Sequence, residues 1–315
     1  MKAITVEVFK GNPALTEIPK PVLKPGQILV KLKAAGLNPT DWKIADGLLD
    51  GKMKHVFPLI LGVDGAGVVE AIGEGVSLFK TGDKIYGQFL HQPVGEGTYA
   101  EYIAVPETAI ITRIPKGLSF EQAAALPVAG MTAFQLVREL HLIRGQTVLI
   151  VGATGGVGTF ATLFANLNGF NVLATARGEA AEKGIKKLGA KVTFDYTQGD
   201  LVEQVKRAYP DGVDALIDLV SDAAAFDHLS GVVKPGGVAL TTVFTADPEK
   251  LKAKNLKGGN FEVKGSVSVL ESVNEMIEVA ENISIPIQQV SLEEAPEALA
   301  RSKEGRALGK TVIVI

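Results

Sequence analysis

The sequence contains no cysteine among its 315 residues. Disulfide bonds, thiolate nucleophiles and cysteine-ligated zinc or iron–sulfur sites are therefore excluded. The absence fits a reducing compartment, so we expect a cytoplasmic protein. No apolar run reaches the about 18 residues that a membrane-spanning helix needs. The N-terminal segment MKAITVEVF alternates like a strand and lacks the apolar stretch of a signal peptide.

An excess of charge is also missing, because 32 Lys and Arg stand against 35 Asp and Glu, a net charge of -3. Nucleic acids and anionic membranes are bound through basic surfaces, so neither partner is predicted. Apolar residues make up 46 % of the chain and charged residues 21 %, which is typical of a globular protein. The length favours two domains.

Glycine and proline divide the first third of the chain into short apolar stretches, which predicts a β-rich, barrel-like domain. The predicted strands are Ala3–Phe9, Gln27–Ala34, Ala66–Ile72, Lys84–Gly87 and Thr98–Val105. Ser119 and Gln122 form a capping-box pattern that starts a helix, which Pro127 interrupts. From residue 147 onward apolar strands alternate with helical stretches, and this order predicts a parallel, doubly wound sheet.

The segment TVLIVGATGGVGTFA carries a glycine burst between a predicted strand and a predicted helix. Ala153, Gly155 and Gly158 fit the frame A-x-G-x-x-G, with Gly156 and Val157 between them. Small residues at this spacing allow a tight turn and a close approach of the backbone to a pyrophosphate at the helix N-terminus. The segment therefore predicts dinucleotide binding, although a packing turn in an apolar α/β domain has a similar sequence.

The end of the next strand, NVLATA, predicts the type of dinucleotide. NAD-preferring sites usually carry an acidic residue there, whereas this strand ends in Thr175 and Ala176 followed by Arg177. A guanidinium group pairs well with a 2′-phosphate, so NADPH is favoured. A solvated surface arginine is the alternative. Val220 and Phe244 end later strands, where open α/β sheets bind ligands, or they are plain core residues.

Several motifs in order along the chain resemble the medium-chain dehydrogenase/reductase superfamily, and within it the zinc-independent quinone oxidoreductases. They include LKPGQILVKLKAAGLNPTDWKIADG, PLILGVDGAGVVEAIGEGVSLFKTGDKIYG, GTYAEYIAVPE, AALPVAGMTAFQLV and the glycine loop. The resemblance implies a GroES-like, partly open β-barrel domain from residues 1–122 and 264–315. It also implies an inserted Rossmann NADP-binding domain at 123–263 and a homodimer.

The resemblance further implies where a catalytic zinc would be bound in zinc-dependent relatives. Those positions hold Asn38, Val63 with Asp64, and Val128 in this chain. Valine cannot ligate zinc, and one Asn with one Asp falls short of a three-ligand site. The four histidines are scattered and form no i, i+4 pair. We therefore predict that the protein binds no metal.

The resemblance also assigns residues near the cofactor and the substrate. Asn38 and Asp41, in NPTD, correspond to the segment beside the nicotinamide, although Asn-Pro is also a turn former. Thr132 is expected near the nicotinamide and Tyr196 near the adenosine, unless the first satisfies a local carbonyl and the second packs in a core. Asn38, Trp42 and Phe89 are candidates for the substrate pocket, with simple packing as the alternative for the two aromatic residues.

Together these features predict a metal-free, NADPH-dependent oxidoreductase that delivers hydride to a quinone. An NADPH-dependent reductase of α,β-unsaturated carbonyl compounds is the alternative in the same class. A non-catalytic NADPH-binding protein with a structural or redox-sensing role is the alternative in another class. The sequence shows no triad, no catalytic carboxylate pair and no lysine in a distinctive setting, so it assigns no general acid or base.

Overall fold

The computed structural model describes residues 1–280, 285–306 and 309–315. The chain forms two compact units. The first consists of Met1–Ala129, Gly265–Glu278 and Ile287–Ile315, and the second consists of Gly130–Lys264 and Val279–Pro286. The second unit is thus inserted into the chain of the first.

The first unit consists mainly of β-strands. Its N-terminal part contains β1 (Lys2–Val6), β2 (Ala14–Glu17), β3 (Gln27–Gly36), α1 (Pro39–Ala45), β4 (Leu59–Ile60), β5 (Asp64–Ile72), β6 (Lys84–Gln88), β7 (Tyr102–Pro106), β8 (Ile110–Arg113) and α2 (Phe120–Ala124). Ser119 caps α2 as predicted, because its hydroxyl accepts from the Gln122 N–H and the Gln122 side chain accepts from the Ser119 N–H.

The second unit alternates strands and helices. Its elements are α3 (Pro127–Glu139), most of which belongs here, β9 (Thr147–Val151), α4 (Gly156–Leu167), β10 (Asn171–Thr175), α5 (Glu179–Lys187), β11 (Ala190–Phe194), α6 (Leu201–Ala208), β12 (Val213–Asp218), α7 (Ala223–Ser230), β13 (Val233–Thr241), α8 (Pro248–Ala253) and β14 (Lys257–Asn260). The strands form one parallel sheet in the order β11-β10-β9-β12-β13-β14. This is the predicted doubly wound sheet, and the strand order reverses direction at β9.

The C-terminal part of the chain completes the first unit. It contains α9 (Val267–Val279), β15 (Ile287–Ser291), α10 (Ala295–Lys303) and β16 (Lys310–Val314). β16 pairs antiparallel with β3, in a sheet of order β15-β16-β3-β5-β6-β8 in which β3 also pairs with β7. The α/β class, with one barrel-like unit and one parallel-sheet unit, is confirmed. No helix within the described ranges is long and apolar enough to cross a membrane.

The structure differs from the sequence-based prediction at several short elements. Asn38 and Pro39 begin helix α1, where the sequence also allowed a turn, because proline suits the first position of a helix. The predicted strand at Thr98–Val105 starts only at Tyr102, and Ala100 forms an isolated bridge to Ala3. The strands β2, β4, β8, β14 and β15 and helix α8 had no prediction, since such short segments carry little periodicity.

Candidate functional site

The glycine loop joins the end of β9 to the start of α4. Gly152 begins the turn with φ +81°, a conformation that favours glycine, and its N–H donates to Thr175 Oγ1 at 2.9 Å. A Cβ at Gly158 would lie 2.3 Å from Gly152 O and 2.5 Å from Ala153 Cα. Gly158 therefore allows α4 to pack closely on the turn, and the buried Ala153 fills the contact on the other side.

Gly155 has a different reason to be glycine. Its φ is −75°, which any residue adopts, and the atom nearest to an added Cβ is Gly152 O at 3.4 Å. The protein interior therefore does not require glycine at this N-cap position of α4. A ligand that approaches the backbone closely would require it, as a pyrophosphate does at the N-terminus of a helix. This feature fits a dinucleotide.

The other predicted cofactor residues of the second unit lie at the carboxyl ends of its parallel strands. Arg177 follows β10, Tyr196 follows β11, Val220 follows β12 and Phe244 follows β13. Three of them are large apolar or aromatic side chains with high exposure: 54 % for Tyr196, 63 % for Val220 and 59 % for Phe244. They are not core residues, and they stand at the edge of the sheet where open α/β folds bind ligands.

Two of these positions have further features that suit a ligand site. Phe244 has φ 62°, a left-handed conformation that is unfavourable for an aromatic residue and is often found at functional sites. Arg177 is exposed and lies close to Asp195. Two hydrogen bonds from Thr197 lower the pKa of Asp195, and the Arg177 charge contributes a smaller lowering.

The first unit contains a buried polar network at the start of α1. Asp41 accepts hydrogen bonds at Oδ2 from the Asn38 N–H at 2.7 Å and the Tyr99 hydroxyl at 2.6 Å. Its Oδ1 accepts from the Val63 N–H at 3.0 Å. Both carboxylate oxygens are thus bound by donors, and the side chain is 1 % exposed. Burial raises the pKa of Asp41 to about 6, although these donors and Lys310 oppose the rise.

The same network continues to Asp64 and Lys310. The Lys310 ammonium donates to Asn38 Oδ1 at 2.7 Å and to Leu37 O at 3.0 Å. The Asn38 amide Nδ2 donates to Asp64 Oδ2 at 2.7 Å, and the Val128 N–H donates to the same oxygen at 3.0 Å. Lys310 Nζ lies 3.8 Å from Asp64 Oδ2. Lys310 is only 2 % exposed, so this is a fully buried charge cluster.

Burial shifts the pKa values of both Asp64 and Lys310. It raises the pKa of Asp64 to about 7, against the Lys310 charge and the hydrogen bonds from Asn38 and Val128. It lowers the pKa of Lys310, against the charges of Asp64 and Asp41. Asp64 therefore titrates near neutral pH, where an ordinary aspartate is fully ionised.

Comparison with known proteins identifies the fold and the family. Residues 24–116 match the family described as Alcohol dehydrogenase GroES-like domain, and residues 156–283 match the one described as Zinc-binding dehydrogenase. The 2-methylene-furan-3-one reductase of Solanum lycopersicum is 30 % identical over 98 % of this chain and 76 % of its own length. The chain belongs to the medium-chain dehydrogenase/reductase superfamily.

Solved structures and further relatives place this superfamily member near the quinone oxidoreductases. The structure of the quinone oxidoreductase from Coxiella burnetii superposes with a TM-score of 0.85 at 30 % identity, covering 100 % of this chain and 99 % of the other. The alcohol dehydrogenase of Geobacillus stearothermophilus is 27 % identical over the full length of both chains. The predicted resemblance is confirmed. The protein is an oxidoreductase of this superfamily, whose members use a nicotinamide cofactor.

The name of the second matching family raises the question of zinc, and the residues present do not fit that ion. Val63 and Val128 offer no ligand atoms, and the Asn38 side chain is bound by Lys310 and Asp64. No group of three or more His, Asp or Glu side chains in the described parts of the chain is arranged to hold a metal ion. A lysine ammonium group lies among these side chains, where a zinc ion would meet electrostatic repulsion.

The remaining predicted residues are placed as follows. Asn38 is 3 % exposed and Thr132 is 6 % exposed. Phe89 lies in the barrel core with Ile85 and Ile111. Trp42 is half-buried against the neighbouring core, with Lys43 and Lys303 over its ring. Whether any of them contacts a ligand stays a prediction.

The expectation that no lysine has a distinctive setting was wrong. Lys310 is fully buried, and Asp41 and Asp64 form a buried carboxylate pair around Asn38. The only signal in the sequence was a lysine at the start of the apolar segment KTVIVI, where an unpaired charge would be costly. Its partners are more than 240 residues away, so the sequence pattern did not show them.

Proposed function

We propose that the protein is a metal-free, NADPH-dependent oxidoreductase that delivers hydride to a quinone. The observation that carries the proposal is that the positions corresponding to the zinc ligands of zinc-dependent relatives hold Asn38, Val63 with Asp64, and Val128. The Lys310 ammonium group also lies beside Asn38 and Asp64. Alcohol oxidation relies on an electrophile such as zinc to stabilise the alkoxide. Without one, reduction of an already electron-poor acceptor is the easier reaction, and positioning supplies most of the catalysis.

The second unit provides the residues that would hold the cofactor. The backbone from Gly155 to Gly158 would bind the pyrophosphate, because Gly155 leaves room for a close approach. Arg177, exposed after β10, would pair with the 2′-phosphate and so favour NADPH over NADH. Tyr196, Val220 and Phe244 offer an exposed apolar surface along the same edge. A bound reduced nicotinamide supplies the hydride.

A reductase of α,β-unsaturated carbonyl compounds is the second candidate. It is supported by the 30 % identity to the 2-methylene-furan-3-one reductase of Solanum lycopersicum over almost the whole chain. Both reactions add hydride to an electron-poor carbon and need a proton at the acceptor oxygen or the neighbouring carbon.

The test is turnover with a panel of acceptors. The purified protein is mixed with NADPH or NADH and with quinones, enones, alkenals and simple aldehydes, and loss of reduced-nicotinamide absorbance is followed. We expect oxidation of NADPH with quinones first, little reaction with NADH, and no effect of a zinc chelator. The Gly155→Val variant, which should not bind the cofactor, gives the background rate.

Three outcomes would contradict the proposal. Preference for enones over quinones would support the second candidate. Binding of NADPH without oxidation in the presence of any acceptor would indicate a structural or redox-sensing protein. Loss of activity with the chelator, restored by zinc, would indicate a zinc enzyme. The proposal also includes a cytoplasmic homodimer, which sedimentation of the purified protein would test.

A further inference from the structure

The buried network of the first unit has one feature that its packing role does not explain. The three donors around the Asp64 carboxyl group all approach Oδ2. Asp64 Oδ1 is equally buried and has no hydrogen-bond partner in the described part of the chain. Buried polar atoms usually have partners, so this oxygen needs an explanation.

Lys310 fixes the direction of the hydrogen bond between Asn38 and Asp64. A lysine ammonium group can only donate, so the Asn38 atom facing it must be Oδ1. The Asn38 amide nitrogen then faces Asp64, and it can only donate as well. The Val128 N–H is a third obligatory donor. Asp64 Oδ2 must therefore accept, and a proton on this carboxyl group has Oδ1 as its only place.

The charges of the cluster also favour a proton. With Asp41 and Asp64 ionised and Lys310 protonated, a buried group of side chains would carry a net charge of −1. One added proton makes the cluster neutral, which removes the cost of an unpaired buried charge. Asp41 is the less favourable site for the added proton, because hydrogen-bond donors already bind both of its carboxylate oxygens. Asp64 has the free oxygen.

We propose that Asp64 is held as a neutral carboxylic acid with its proton on Oδ1, and that it is the proton source for the reduction. The role of Asp64 as proton source rests on the proposed function, whereas its protonation does not. An acceptor that has taken up a hydride carries a negative charge on its oxygen. The O–H bond of Asp64 breaks, the proton goes to that oxygen, and the bonding electron pair stays on the Asp64 carboxylate.

The buried network adjoins a pocket at Asp41. Asp41, Val63 and Leu90 line a pocket of about 260 Å³, including its open mouth, in the same unit. The groups that face the two carboxyl groups are the Lys310 ammonium group from β16, the Asn38 N–H and side-chain amide, the Tyr99 hydroxyl, and the Val63 and Val128 N–H groups.

Infrared spectroscopy tests the proton directly. A neutral carboxylic acid has a carbonyl stretch that is separate from the carboxylate bands and shifts in D2O. The wild type and Asp64→Asn are compared between about pH 5 and about pH 9, around the raised pKa of the buried carboxyl group. We expect a band that titrates near neutral pH in the wild type and is missing in Asp64→Asn. Asp83→Asn, at a carboxylate paired with Arg113 in the same unit, should keep it.

Asparagine copies the shape of the neutral acid, with its amide NH2 in the place of the Oδ1–H group, so we expect Asp64→Asn to fold. The wild-type titration needs no variant and decides the protonation even if Asp64→Asn does not fold. A spectrum with no titrating carboxylic acid near neutral pH would overturn the proposal. A band that persists in a folded Asp64→Asn protein would assign the proton to another residue and overturn it as well.

The pH dependence of turnover tests the proton source. In the wild type, kcat should fall as the pH rises above about 7, because the acid form of Asp64 is the active one. In Asp64→Asn, kcat should be at least about tenfold lower and should lack this fall, with KM for NADPH unchanged. An unchanged pH profile in the variant would refute the proton transfer. Absence of turnover in the wild type would instead refute the proposed function, and the infrared result would still stand.

Discussion

The glycine loop of the second unit and the buried network of the first differ in the part of the chain that forms them. The loop is backbone, shaped by Gly152, Gly155 and Gly158 within seven residues of chain. The network is side chains, brought together from Asn38, Asp64 and Lys310 across as many as 272 residues. The loop presents backbone atoms at the N-terminus of α4, whereas the polar atoms of the network mostly bind one another.

This contrast predicts that damage to the network costs stability and that damage to the loop costs binding. A backbone site requires little of the fold beyond a strand, a turn and a helix. A buried charge cluster requires each member, because loss of one leaves the others buried without a partner. Substitutions in the two regions should therefore affect different measurements.

The largest expected effect is that of Lys310→Met. The substitution keeps the length of the side chain but removes the charge that Asn38 Oδ1 and Leu37 O bind. We expect the free energy of unfolding to fall by about 3–5 kcal/mol, as for other buried ion pairs that lose one partner. Urea denaturation followed by fluorescence measures the change.

The matched control is Lys303→Met, which breaks an exposed ion pair with Asp46 in the same unit. It should change the free energy of unfolding by about 0–1 kcal/mol. Equal effects of the two variants would mean that the buried ammonium group has no special role in the stability of the barrel.

Gly155→Val should weaken NADPH binding by about 100-fold or more, which is about 2.7 kcal/mol, because the side chain would fill the space for the pyrophosphate. An added Cβ meets only Gly152 O, at 3.4 Å, so the fold should lose about 1 kcal/mol at most, the value of a poor helix cap. Titration calorimetry measures the affinity and thermal unfolding the stability.

Gly158→Ala is the informative partner of that variant. A Cβ at this position would lie 2.5 Å or less from the backbone of the turn, so the loop itself must be displaced. We expect Gly158→Ala to lower both stability and binding. Normal NADPH affinity in Gly155→Val would show that this loop does not hold the pyrophosphate.

The smallest of the three effects is expected for Arg177→Asp. Loss of the guanidinium group and the added negative charge should weaken NADPH binding by about tenfold or more, about 1.4 kcal/mol, and leave NADH affinity nearly unchanged. Lys187→Asp makes the same change of charge at an exposed site on α5 and serves as the control. If both variants weaken NADPH binding equally, the overall charge of the unit and not a direct contact with the phosphate selects the cofactor.

The same contrast explains how much the sequence could predict. Strand alternation, the Ser119 capping box and the glycine loop are local patterns, and each of them appears in the structure as predicted. The exposed Val220 and Phe244 follow from their positions at strand ends. The Lys310 network could not be found in this way, because its members are far apart and each is an ordinary polar residue when considered alone.

Asn38 and Asp41 show the limit most clearly. The sequence singled them out, but as neighbours of a nicotinamide, while in the structure their known partners are Lys310, Asp64 and Tyr99. A buried position and a hydrogen-bond partner are properties of the folded chain. They depend on the pairing of β16 with β3, which no local pattern in the sequence specifies.

The place of Lys310 in the chain has a consequence for synthesis. The second unit is almost continuous, so Gly130–Lys264 can fold as soon as it leaves the ribosome. The first unit emerges earlier yet has to wait, because Asp41 and Asp64 have no cation until residue 310 has been added. The barrel unit is thus completed after the second unit, and a ribosome-bound chain that does not yet contain Lys310 carries two acidic side chains still in need of their partner.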